Sequence, residues 1–379
     1  MVKSTKISSV CVVIVERDWC KMYLGKVTAQ GELIEEPVEL VFINERDWYT
    51  VDREGVAAQD ESIVESVDLV KWHSPEVMNL NTTLLFDKIV QEINAVCEEK
   101  NVKFDSVVVS MPGTMKDNSE LVTSSRLDIT SLPTPFPVSS FISEKLGGIP
   151  VRIINDVECM LLEAQTSLIA TATQHETIYY IIVDEGVGAA ITIDRKRYHG
   201  AAGVAGRISR LVVEKRGHFY HKFAQSGLLE YYASRPWISQ HCVEGYEFDC
   251  QTQNTTPSKT TKFKELLQRQ YENNDQRGLT FEELSVGVND KDRIALTCFN
   301  EAAEYLGIAL SYIITIINPH KIFLAGRLIT DIDNFYDDVL KSAKKMTWPK
   351  AWDEKIFTKR PNARDDQVRG ALRFAMIEK

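Results

Sequence analysis

Residues 178–206 read IYYIIVDEGVGAAITIDRKRYHGAAGVAG. The run at 178–183 is rich in β-branched and aromatic residues and predicts a buried strand. After the polar turn Asp184-Glu185-Gly186, further strands are predicted over 189–193 and 198–199, and helical patterns dominate beyond them. The chain opens in the same way. Strands are predicted at 10–15, 20–27 and 33–42, the last two separated by the turn at Gln30-Gly31. A helix follows from Thr83, because Phe86, Ile89, Val90, Ile93 and Cys97 recur at i, i+3, i+4, i+7 and i+11. Strand 107–109 runs into Met111-Pro112-Gly113, and then come helix 141–146, strand 151–154 and helix 156–168. Late in the chain, Ile294, Cys298, Ala302, Leu306 and Leu310 form one stripe of a helix over 292–317, followed by strand 322–324 and helix 367–377. Two α/β units, each opening with antiparallel strands, would leave between them the kind of cleft that binds small ligands.

A length of 379 residues fits two domains. Hydrophobic residues at 44% and charged residues at 26% supply a core and exclude whole-chain disorder. The formal net charge of −10 argues against a nucleic-acid-coating surface. The cysteines at 11, 20, 97, 159, 242, 250 and 298 show no CxxC spacing, which argues against a disulfide framework and points to a reducing compartment. The apolar start is cut short by Glu16, Arg17 and Asp18 without a signal cleavage site, and no apolar stretch approaches the roughly 20 residues that cross a membrane. A soluble, cytoplasmic protein is expected. Residues 44–80 are polar and acidic and read as an insertion. Residues 240–262 read as a second, with 242–262 a mobile loop rich in Gln, Asn, Thr and Ser.

Several short segments fall in one order: Ser110-Met111-Pro112-Gly113, Ile154-Asn155-Asp156, Gly186-Val187-Gly188, Gly200-Ala201-Ala202-Gly203-Val204-Ala205-Gly206 and Ile317-Asn318-Pro319. Together they resemble the ROK family of sugar-responsive repressors and sugar kinases. Gly227-Leu228-Leu229-Glu230-Tyr231-Tyr232-Ala233-Ser234 is similar to that family's GCLExxAS stretch, and Asp365-Asp366 with Gly370-Ala371 to its final segment. The resemblance implies the duplicated actin-like ATPase (ribonuclease H-like) α/β fold. It implies an N-terminal domain of 1–167 plus 360–379, with the last helix folding back, and a C-terminal domain of 168–359. Sugar would lie in the cleft, and a homodimer is expected.

In the family's kinases a carboxylate accepts the proton of the attacking sugar hydroxyl. Asp156 matches that position, Asn155 matches a residue that binds sugar hydroxyls, and Glu230 matches a second sugar-binding carboxylate. Asn155-Asp156 also suits a helix N-terminus. The phosphate loops depart from the pattern. Where the kinases carry an acidic–Gly–Gly–Thr hairpin turn, this chain has Glu16-Arg17-Asp18-Trp19-Cys20-Lys21. Asp184-Glu185-Gly186 replaces Gly-Thr-Gly ahead of Gly188. The phosphate positions thus carry Asp18, Asp184 and Glu185, carboxylates expected to repel an anion.

The resemblance implies a zinc site that the residues do not supply, since its four positions hold Arg210, His221, Phe223 and Leu228. Arg207 and Arg210 replace a family glutamate and histidine, which favours an anionic or phosphorylated sugar over a neutral one. No winged helix precedes the first strand, so direct DNA binding is not expected. The expectation is a non-catalytic sugar- or sugar-derivative-binding regulator of carbohydrate metabolism, with no cofactor and no metal. One alternative is an ATP-dependent sugar kinase using Mg-ATP, with Asp156 as base. Another is an interaction protein with a vestigial cleft.

Overall fold

The computed structural model describes residues 7–16, 19–30, 32–44, 75–124, 127, 129, 135–168, 176–220, 225–252, 261–273 and 278–377. They belong to two compact units: residues 1–169 with 200–204 and 364–379, and residues 170–199 with 205–363.

The first unit is built on a five-stranded sheet ordered β3-β2-β1-β4-β7. Its strands are β1 (Ile7–Val15), β2 (Trp19–Thr28), β3 (Val38–Asn44), β4 (Ser106–Met111) and β7 (Val151–Asn155). Helix α1 (Pro75–Lys100) precedes β4. A small hairpin, β5 (Thr114–Lys116) and β6 (Glu120–Thr123), and helix α2 (Val138–Lys145) lie between β4 and β7. Helix α3 (Asp156–Ala164) follows β7 directly and tightens into a 3₁₀ turn, Gln165–Leu168. β1 and β2 are antiparallel, from Ile7↔Thr28 to Val15↔Cys20, whereas β1, β4 and β7 run parallel.

The run of β1 is continuous in apolar residues because both faces of the sheet are covered. Val10, Val12 and Ile14 face α3 and the C-terminal helix Ala363–Ile377, among Cys159, Leu162, Val368 and Leu372. Cys11, Val13 and Val15 face α1 and α2, among Phe86, Ile89, Ile93 and Ile142. The C-terminal helix is fastened closely. A Cβ on Gly370 would stand 1.8 Å from the Cys159 carbonyl oxygen. Gln367 Nε2 donates to Ser110 Oγ at 3.0 Å, and Arg152 Nη1 donates to the Phe374 carbonyl at 2.8 Å.

The second unit repeats the plan. Its sheet is ordered β10-β9-β8-β13-β14, from β8 (Thr177–Val183), β9 (Val187–Ile193), β10 (Lys196–Arg197), β13 (Lys321–Ala325) and β14 (Phe357–Arg360). β8 and β9 form the antiparallel hairpin, and β13 and β14 add in parallel. Between β10 and β13 come the two-residue strands β11 (Phe219–Tyr220) and β12 (Gln225–Ser226). Helices α4 (Leu229–Ala233), α5 (Arg235–Gln251), α6 (Lys262–Asn273), α7 (Phe281–Asn289) and α8 (Arg293–Ile317) follow. α9 (Arg327–Asp331) and α10 (Phe335–Met346) separate β13 from β14. The stripe expected on α8 is buried with Ile181, Val183, Ile322 and Leu324.

Several expectations need correction. The first long helix starts at Pro75, not Thr83, because proline at the first helical position has no N–H to leave unpaired. The third strand begins at Val38 rather than 33, and Leu33 makes only an isolated bridge to Val27. The short strand expected at 198–199 lies at Lys196–Arg197. Residues 242–251 are not loop but the second half of α5, whose Ile238, Ser239 and Cys242 are wholly buried. Residues 253–260, and most of the 44–80 insertion, lie outside the described residues.

Substituting Gly370→Ala is expected to cost about 1–3 kcal/mol, because the added methyl must displace backbone rather than a side-chain tip. Urea unfolding checks this, and wild-type stability in the variant would mean that the helix does not sit against Cys159 as described.

Candidate functional site

Asn155 is the last residue of β7 and the cap of α3. Its Oδ1 accepts from the N–H groups of Val157 at 3.1 Å and Glu158 at 3.4 Å. Such a cap satisfies N–H groups that the helix itself leaves unpaired. Its Nδ2 donates to the Gly113 carbonyl at 3.1 Å, leaving one amide hydrogen to spare. Gly113 must be glycine, since at φ +150° a Cβ would meet the Thr123 carbonyl oxygen at 2.7 Å. Met111 pairs with Asn155 across β4 and β7, so the expected segments 110–113 and 154–156 meet at one sheet end. Asn155, not Asp156, supplies the helix cap. Asp156 is 6% exposed, and its side chain has no hydrogen-bond or ion-pair partner among the described residues.

The remaining described candidates lie in the second unit. Asp184, Glu185 and Gly186 form the β8–β9 turn, closed by Val183↔Val187 pairing and by the Asp184 N–H donating to the Gly186 carbonyl at 2.9 Å. Gly188 pairs with Ile182 inside β9. Glu230, in the first turn of α4, reaches this loop: its Oε2 stands 3.8 Å from where a Gly186 Cβ would sit. Arg207 caps a 3₁₀ turn, Ile208–Arg210, that packs against α4 and β9. Arg207 and Arg210 flank this three-residue turn, one at its cap and one at its last position. Arg207 is half-buried and Arg210 exposed. The turn is set by Gly206 at φ +81°, where a Cβ would press on the Ala189 carbonyl oxygen at 2.9 Å.

Glu185 does not stand as the free anion expected from the sequence. Arg235 grips it through Nε and Nη2, the latter at 2.7 Å, while Nη1 donates to the Leu279 carbonyl at 2.5 Å. A fork-on-carboxylate pair cancels most of the charge that would repel a phosphate. Asp184 Oδ2 accepts the Arg327 N–H at 3.3 Å. Arg235 and Arg327 were missed because each meets its partner across a gap of 50 and 143 positions, with no local signature. Gly326 also belongs here, for at φ +95° its Cα abuts the Val183 carbonyl, where a Cβ would stand 2.2 Å from the oxygen.

Asp18, His221 and Phe223 lie outside the described residues. The two remaining positions of the family's zinc pattern are Arg210, which is cationic, and Leu228, which is fully buried at the cap of α4. Neither offers a ligand atom, so the residues do not fit a tetrahedral zinc. No described helix is long and apolar enough to cross a membrane.

The sequence is 26% identical to a glucokinase of Halalkalibacterium halodurans over 212 residues, which is 55% of this chain and 57% of that one. It is 32% identical to an N-acetylmannosamine kinase of Vibrio cholerae over 130 residues, 34% of this chain and 43% of that one. The chain thus matches about half the length of these curated relatives. Among solved structures, a ROK family glucokinase from Streptomyces griseus in complex with glucose and AMPPNP aligns with a TM-score of 0.63 at 15% identity, over 98% of this chain and 99% of that one. A ROK family transcriptional regulator, a homologue of the E. coli Mlc protein, aligns with a TM-score of 0.65 at 14% identity, over 97% and 79%. These likenesses give the actin-like ATPase fold that the doubled sheet order leads one to expect. The ROK family pattern itself matches residues 70–377, and with that span covered the chain belongs to the ROK family.

Proposed function

We propose that this chain binds a hexose or hexose derivative through Asn155 and Asp156, and that it regulates carbohydrate metabolism rather than transferring phosphate. The supporting observation is Asp156, a carboxylate 6% exposed without a hydrogen-bond partner among the described residues. A carboxylate in so narrow an opening, with no protein donor on it, can accept from a sugar hydroxyl without giving up an existing bond. Asn155, the neighbouring residue in the chain, bonds the Gly113 carbonyl through Nδ2 and keeps one amide hydrogen for a ligand. Two relatives fit the reading: one solved kinase holds glucose, and one solved relative is a transcriptional regulator.

The case against transfer rests on the β1–β2 connection. Val15 pairs with Cys20, and Trp19 is already paired with Asn44 in β2. The residues that link the two strands, Glu16-Arg17-Asp18, include no glycine, the residue type that lets backbone come close to phosphate in a kinase. Mg-ATP is not required for this reading. The second reading, a sugar kinase with Asp156 as base, is favoured by the Arg235–Glu185 pair, which removes one expected repulsion from the second phosphate loop.

A thermal-shift screen of hexoses, hexosamines and hexose phosphates, with ADP release followed in parallel, separates the two. A ligand at 100 times its dissociation constant adds about 2.7 kcal/mol of stability. A stabilising sugar without ADP release is expected, and turnover near 1 s⁻¹ would replace this proposal with the kinase.

Asp156→Asn should keep the fold, because Asn155 supplies the cap, and should weaken the stabilising sugar by about 10-fold, read by calorimetry. An unchanged affinity would remove Asp156 from the sugar site.

If Arg207 and Arg210 face the ligand, a hexose phosphate should bind more tightly than its parent hexose, and Arg207→Ala should erase about 10- to 100-fold of that preference. Equal binding of both ligands in wild type and in Arg207→Ala would show that the arginines play no part.

A further inference from the structure

None of the candidate sugar-site or phosphate-loop residues lines the cavity that lies within the second unit. Its volume is about 730 Å³, enough for a small organic ligand, and it opens between the 214–218 loop and helices α4, α5 and α8. Its walls are fixed by close backbone contacts. A Cβ on Gly217 would stand 2.0 Å from the Tyr232 hydroxyl, and the His218 N–H donates to that hydroxyl at 3.2 Å. Gly227 lies so close to Glu214 that a Cβ there would meet the Glu214 carbonyl oxygen at 1.7 Å. The loop is therefore pinned to α4, with Glu214 held at the cavity wall.

The lining carries three carboxylates against two arginines, Arg216 and Arg293. Glu214, Glu244 and Glu301 supply carboxylates. Of the two arginines at the cavity, Arg293 is already paired with Asp249. His241 turns in a buried Nε2 that has no hydrogen-bond partner, and burial lowers the pKa of this imidazole, keeping it neutral and able to accept. The aromatic wall is ordered, with Tyr232 stacked on Tyr305 at 4.0 Å and His218 on Tyr231 at 4.7 Å. Burial first, then Tyr232, Glu214 and Glu301, push the Tyr305 hydroxyl pKa up to about 12.

Acceptor atoms in excess, net negative charge and aromatic faces together complement a cation bearing hydrogen-bond donors or methyl groups. We propose that this cavity is a second ligand site, separate from the sugar-binding residues, and that it takes a small organic ammonium ion. Glu214 and Glu301 balance the ligand's charge, and the Tyr232–Tyr305 pair covers its carbon skeleton.

Calorimetric titration with choline chloride and with spermidine chloride tests this, at ionic strength matched with sodium chloride. The neutral carbon analogue of choline, 3,3-dimethylbutan-1-ol, serves as the control. Saturable binding of at least one ammonium, with none of the neutral alcohol, is expected. Glu301→Gln should weaken it by about 10-fold, and the double variant Glu214→Gln with Glu301→Gln should weaken it further. Glu301 is exposed on α8, so its single variant folds and decides the question even if the double variant does not. Neither ammonium binding by about 10 mM would overturn the proposal, as would equal binding of the neutral alcohol or an affinity unchanged in Glu301→Gln.

Discussion

The carboxamide of Asn155 is the joint on which the first unit's candidate site depends. One short side chain closes the N-terminus of α3 through two backbone N–H groups and ties β7 to the loop after β4 through the Gly113 carbonyl. Neither element alone would fix Asp156. With the joint made, the carboxylate sits on the first turn of a helix whose start cannot slide along the chain. Asparagine is suited to this because it accepts and donates at once. Aspartate at the same place could cap the helix but could not hold the Gly113 oxygen.

The second unit solves a different problem, that of keeping acidic residues in a tight turn. Glu185 is drawn back by Arg235, and the Asp184 carboxylate takes the backbone N–H of Arg327. The charge count of 184–186, read in isolation, overstates the negative potential at the turn. What counts is the charge left after long-range partners are assigned, and that quantity belongs to the fold rather than to the segment.

This is also the boundary of what could be read from the sequence. The sheets were legible because both faces of each central strand are buried, giving apolar runs such as those in β1 and β8 that turn residues interrupt cleanly. The α8 stripe was legible because a long helix with one buried face repeats its signal many times. Helix α5 was misread because few of its residues pack inward and the rest are the Gln, Glu and Asp that also compose loops. Among the candidate site residues, Asn155, Asp156 and Glu230 could be singled out because they stand in short segments that resemble the family's. Arg235, and the acidic, aromatic cavity beneath the 214–218 loop, could not, because their partners come together only when α4, α5 and α8 pack.

The closeness of the C-terminal helix to β1 and α3 carries a consequence for synthesis. Ser110 and the Gln367 that bonds to it are 257 positions apart. At 5–20 residues per second, the ribosome needs about 10–50 s to supply the second after the first. Through that interval Val10, Val12 and Ile14 have strands beside them but lack the full cover on their face. The nascent first unit therefore waits with an apolar sheet surface open, a natural substrate for a chaperone, while the second unit is made entire and can fold ahead of it.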